Sequence, residues 1–144
     1  MIQRTKASAW TVSLIFALAA TPLAAERPSF TTPSGNITCF LETGASELDM
    51  VCFIRDAGWE YPHDGADCTD DRFRAVTMGD GWPPRAITIC TTDVFWPYPS
   101  PQISYGSMWS VDGFTCSVET DGVRCADPSE NHRFHIAQAA LNLR

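Results

Sequence analysis

The chain has 144 residues, a formal net charge of −7 and six cysteines. That length holds one ordinary domain, and the acidic balance argues against nucleic acid, whose phosphates require a basic face. With no C-x-x-C pair and no zinc-type spacing, the cysteines point to a disulfide framework rather than a metal site, and no cofactor is implied.

Residues 1–9 carry Arg4 and Lys6 but no acid, and the apolar run WTVSLIFALAA over residues 10–20 leads into Thr21-Pro22 and Leu23-Ala24-Ala25. This is the layout of a secretory signal peptide, 1–25, too short in its apolar core to span a bilayer. Cleavage after Ala25 leaves residues 26–144 as a single disulfide-bonded β domain. It removes Arg4 and Lys6 and takes the net charge to −9. No stable membrane insertion is expected after cleavage, and the expected location is the periplasm or the exterior.

The stretch ITCFLET, from Ile37 to Thr43, returns as FTCSVET, from Phe114 to Thr120. In each copy the residues alternate with period two, so each is a strand with its cysteine on the apolar face. Each strand is followed by turn residues and a second short apolar run containing Cys52 or Cys125, which predicts two related β-hairpins. Placing Cys116 opposite Cys125 pairs Val118 with Val123 and leaves Thr120-Asp121 as a two-residue loop. Asp121-Gly122 as the centre of a type I′ turn would shift that register, but the side-chain pattern favours the cysteine pairing. The same logic sets Cys39 opposite Cys52 and Leu41 opposite Met50. Cys68 and Cys90 are left to each other by elimination, across an acidic and loop-rich centre. Each bridge is worth roughly 3 kcal/mol in the chain-entropy model.

Between the hairpins, Trp82-Pro83-Pro84 and the proline-rich run beginning at Trp96 cannot be interior helix or central strand. Residues 85–90, RAITIC, read as a strand between them. Residues 133–136, RFHI, alternate as another strand, and 138–143 are compatible with either a helical turn or a continued strand. The expected fold is a mainly β, disulfide-stapled antiparallel domain whose two hairpins form halves of one core.

The runs FTTPSGNITC, YGSMW and GFTCSVETDGVRC together resemble small exported bacterial proteins of a domain-of-unknown-function family. That family carries F-x-S/T-P-S-G-N-I-x-C near the mature N-terminus and Y-G-x-x-W…F-x-C…G-V-x-C near the C-terminus. Where the family continues G-H-G-F-x-L, this chain has Asn131-His132-Arg133-Phe134-His135-Ile136, with both glycines replaced. The resemblance implies export and a shared fold, and it brings no catalytic residue.

No catalytic constellation stands out. All six cysteines are committed to bridges, which leaves no thiol nucleophile, and no G-x-S-x-G elbow occurs. His132 and His135 fall on opposite faces of a strand, which does not suit metal binding. Asp64, Asp67, Asp70 and Asp71 lack the alternating spacing of a calcium loop and read as a solvated segment. Trp96, Tyr98, Tyr105 and Trp109 are the candidate interaction surface, because rigid aromatic side chains on proline-braced loops give contact area at low entropic cost. For Tyr105 and Trp109 the favoured reading is that they cap the disulfide core, which leaves Trp96 and Tyr98 as the better candidates for exposure. The expected role is a binding module of the bacterial envelope, with a protein or glycan partner. A sharper version is an inhibitor of a basic extracellular enzyme, and the alternative class is a carboxylate-dependent hydrolase.

Overall fold

The computed structural model describes residues 27–43, 48–91 and 99–144, and all regular structure among them is strand. The segment 1–25, with its signal-peptide pattern, lies outside the described residues, as do Trp96 and Tyr98. Strands β1 (Ser29–Thr31), β2 (Ile37–Thr43), β3 (Leu48–Ile54), β4 (Arg72–Gly79) and β5 (Arg85–Cys90) form one sheet in that order. Strands β6 (Met108–Val111), β7 (Phe114–Glu119), β8 (Gly122–Ala126), β9 (Arg133–Ile136) and β10 (Leu141–Leu143) form the second, again in chain order. Neighbouring strands within each sheet are antiparallel, so each half is a five-stranded meander.

The predicted registers are those observed. Cys39 opposes Cys52 and Leu41 opposes Met50; Cys116 opposes Cys125 and Val118 opposes Val123. The bridges are Cys39–Cys52, Cys68–Cys90 and Cys116–Cys125, and no cysteine is free. In both hairpins the bridged Cα atoms are 4.1 Å apart, the close approach of a non-hydrogen-bonded antiparallel pair. Gly122 closes the second hairpin because a Cβ there would lie 2.3 Å from the Ile136 carbonyl oxygen. The left-handed pair that suits a type I′ turn sits elsewhere, at Asp112 (φ 50°) and Gly113 (φ 85°) between β6 and β7.

The repeat extends beyond the hairpins. Phe30 on β1 opposes Cys39 as Trp109 on β6 opposes Cys116, and Val76 on β4 opposes Cys52 as Phe134 on β9 opposes Cys125. The two meanders pack inner face to inner face, and equivalent positions meet at the contact. Phe30 and Trp109 have ring centroids 5.1 Å apart, and Cys52 Sγ lies 4.0 Å from Cys125 Sγ. Since both sulfurs are oxidised, the latter is a packing contact between two stacked bridges. Around them one apolar core gathers Ile37, Leu41, Met50, Ile54, Met78, Phe114, Val118, Val123 and Ile136. Each large side chain fully buried there contributes about 1.5–3 kcal/mol of hydrophobic stabilisation.

The centre of the chain is more ordered than its composition suggests. Residues 72–79 form the longest strand, and the loop over residues 55–71 lies against the part of the first sheet that extends past the core. Arg74 stacks on Trp59 (5.8 Å) and Tyr61 (4.0 Å), and Tyr61 Oη donates to the Arg72 carbonyl at 2.9 Å. Two clasps tie the sheets at their ends. Trp59 Nε1 donates to the Ala137 carbonyl at 3.0 Å, and buried Asp127 accepts from the Gly81 amide at 3.2 Å.

Candidate functional site

Once the inner faces are buried, function falls to the outer faces and the ends, and the two outer faces differ in kind. On the first sheet Phe40, Val51, Phe53, Ala75 and Ile89 form a second buried apolar cluster, with Phe73 and Ile87 packed against it. Arg27 lies over the Phe40 ring at 5.7 Å and Arg55 over Phe73 at 6.0 Å.

The outer face of the second sheet is polar and open. Its registers align two rows of outward side chains across the strands. The first runs Met108, Ser117, Arg124, His135, Asn142; the second runs Ser110, Thr115, Ala126, Arg133 and ends on Arg144. Alternation dictates this arrangement, because Phe134 and Ile136 must face the core and so turn Arg133 and His135 outward. The rows border a groove of about 550 Å³. Met108, 69% exposed, stands at one side of it, and Glu130 also lines it.

The charges in the first row are coupled. Arg124 donates to both carboxylate oxygens of Asp121, at 3.1 and 2.9 Å, a forked geometry that lowers the carboxyl's pKa and raises the guanidinium's. His135 Nε2 is buried without a hydrogen-bond partner, 3.8 Å from Asp121 Oδ2. Burial, then the positive charge of Arg124, pulls the imidazole below its ordinary range, against the opposing pull of Asp121. His135 is thus biased toward its neutral form beside a neutralised arginine.

No family model, curated protein or solved structure matches this chain. The residues singled out from sequence are dispersed in the fold. Trp109, half-buried, packs on Phe30 inside the sandwich, while Tyr105 is exposed at the sandwich end beside Asp56, Glu119 and Gln138. His132 sits before β9 and donates its backbone N–H to Asp127 at 3.2 Å, away from His135 in the strand. Asp64, Asp67, Asp70 and Asp71 are exposed, and the Asp64 carboxylate accepts from the backbone N–H groups of Thr88 and Ala66. Among the described residues the one cluster of metal-type donor atoms is Cys39, Cys52 and Cys125, whose sulfurs are spent in the stacked bridges. Arg124, Arg133, Arg144, Ser117 and Asn142 were not singled out from sequence. The signal that reaches them is the alternation that located the cysteines, followed to the opposite face.

Three disulfides belong to an oxidising, extracytoplasmic compartment.

Proposed function

We propose that the protein is a binding module of the bacterial periplasm or exterior, which receives a protein or glycan partner on the outer face of its second sheet. The observation that carries this reading is the difference between the repeats at equivalent positions. Phe40 opposes Val51 on the first outer face where Ser117 opposes Arg124 on the second. The same backbone frame is closed over with apolar side chains in one half and left as a polar groove in the other. A face built on paired strands holds its side chains in fixed relation, as a recognition surface requires. Backbone NMR of the exported, oxidised protein tests it against a panel of cell-wall glycan fragments, acidic and basic peptides, and a basic wall hydrolase. Saturable shifts centred on Ser117, Arg124, His135 and Asn142 are the expected footprint. Saturable binding that maps wholly outside β6–β10 would overturn the assignment of this face.

A second reading is supported by the exposed carboxylates of Asp64, Asp67, Asp70 and Asp71. It makes the protein an inhibitor of a basic enzyme, drawn in by the net charge of −9. Its footprint would fall on residues 64–71, and its affinity would drop steeply with added salt.

A further inference from the structure

Arg133 on β9 and Arg144 after β10 stand directly opposite one another. Their backbones exchange both hydrogen bonds, Arg133 N to Arg144 O at 2.9 Å and Arg144 N to Arg133 O at 2.8 Å. Side chains opposed in this way leave the sheet on the same face, with Cβ atoms about 4.5–5.5 Å apart, and like charges so placed repel. Both residues are exposed, and both line the groove.

Five of the other six described arginines are handled differently; Arg85 on β5, exposed and in no ion pair, is the exception. Arg124, in the neighbouring row, is neutralised by Asp121. Arg27, Arg55, Arg72 and Arg74 lie over aromatic rings. Among the described residues the ion pairs are Arg27 with Glu42 and Arg124 with Asp121, joined by His135 with Asp121 only when the imidazole is protonated; none reaches Arg133 or Arg144. Arg133 Nε donates to the Glu130 carbonyl at 3.3 Å, and the Glu130 side chain borders the groove without forming an ion pair. Arg133 and Arg144 thus form no ion pair with an acidic side chain of the described residues, and Glu130 is the acidic side chain that shares the groove with them.

We propose that Arg133 and Arg144 form a subsite for a compact oxyanion group, a phosphate monoester or a close pair of carboxylates, carried by the ligand of the groove. The proposal rests on the reading of that groove as the binding face. An oxyanion seated between the two side chains converts their repulsion into two attractions. Each guanidinium offers a planar fork of donors matched to phosphate or carboxylate oxygens. The Thr115 hydroxyl and Asn142 amide line the same groove and supply neutral hydrogen-bonding groups. The acidic remainder of the chain selects against extended polyanions and admits a single concentrated charge on an otherwise neutral body, since screening limits repulsion to about a Debye length, ~8 Å at physiological salt.

The test follows the arginine Nε–Hε resonances of the intact oxidised protein during titration with inorganic phosphate and, separately, succinate, with sodium chloride at matched ionic strength as control. Saturable shifts at Arg133 and Arg144, at least tenfold weaker in both Arg133→Gln and Arg144→Gln and unchanged in Arg85→Gln, are expected. Tighter phosphate binding assigns a monoester, and tighter succinate binding assigns paired carboxylates. Shifts that stay linear, that chloride reproduces, or that spread equally over Arg85 mean an adventitious ion only and overturn the subsite. The two readings fail separately. A groove ligand that binds both glutamine variants as tightly as the native protein removes the subsite and leaves the module. Phosphate saturating the pair while no panel member contacts Ser117, Arg124, His135 or Asn142 leaves the subsite and removes the module.

Discussion

The two halves of the sandwich share a meander, a register and a bridged cysteine pair, yet they use arginine in opposite ways. In the first half, guanidinium groups are laid on aromatic rings: Arg27 on Phe40, Arg55 on Phe73, and both Arg72 and Arg74 on Tyr61, at 4.3 and 4.0 Å. In the second half Arg124, Arg133 and Arg144 line a groove, and only Arg124 has an acidic partner. The inner faces of a repeat must fill one core and are therefore held alike. The outer faces carry no such constraint, so a difference between them is where a role can be written.

Equivalent positions give the largest expected effect. Phe40→Ala empties a fully buried site and should cost about 3–5 kcal/mol, whereas Ser117→Ala at the matching position should stay within about 0.5 kcal/mol. Equilibrium denaturation of the oxidised variants measures both. Comparable losses at the two sites would show that the second outer face is as closed as the first.

The bridges divide along a different line. Cys39–Cys52 and Cys116–Cys125 are buried in the core, while Cys68 is half-exposed in a loop. Titration of the native protein with a mild reductant, followed by alkylation and mass analysis, should find Cys68–Cys90 opened first. Its loss should cost about 2–4 kcal/mol, and the other two should open only on unfolding. Simultaneous opening of all three would break the distinction.

Asp127 clasps the second sheet to the first. Burial raises its pKa, but hydrogen bonds from the Ser129 hydroxyl and the His132 and Gly81 amides outweigh this, so the net shift is downward. A depressed carboxyl pKa contributes stability that is present above the unfolded value, near 4, and lost as pH falls through the folded one. Asp127→Ala should cost about 1–3 kcal/mol at neutral pH and remove part of the decline as pH falls below the unfolded value. An acid limb unchanged in the variant would show that the loss arises elsewhere.

Arg144→Gln should have the smallest effect and the opposite sign. Relief of the repulsion with Arg133 should raise stability by about 0.2–1 kcal/mol, while phosphate binding weakens. A variant that is both less stable and unchanged in binding would place Arg144 in the framework instead of the site.

What the sequence made legible follows from burial. Both hairpin registers were readable because alternation around Cys39 and Cys116 sets each cysteine on the apolar face opposite a second one, and Cys68–Cys90 followed by elimination. Strand β4 was missed because its inward arginines, Arg72 and Arg74, look like loop charges until Tyr61 is known to lie under them. Strand β6 was missed for a local reason. The Asp-Gly turn was weighed only at Asp121-Gly122 and set aside there, whereas the left-handed pair is Asp112-Gly113, with a short strand before it. Of the candidate aromatic surface, Trp96 and Tyr98 lie outside the described residues, Trp109 packs on Phe30 as its core-capping reading expects, and Tyr105 is exposed. The arginine groove depends on which strands become neighbours, and short-range periodicity does not encode that.

The Asp64 carboxylate accepts the Thr88 N–H on the free side of β5, and Cys68 is tied to Cys90 at the end of the same strand. An uncovered edge strand invites another chain to pair with it. The acidic loop therefore serves as a guard rail against self-assembly, and Cys68–Cys90 is the bolt that fastens it. Opening Cys68–Cys90 alone should then free the β5 edge for pairing with another chain, an increase in assembly mass that sedimentation would detect while the doubly bridged interior stays folded.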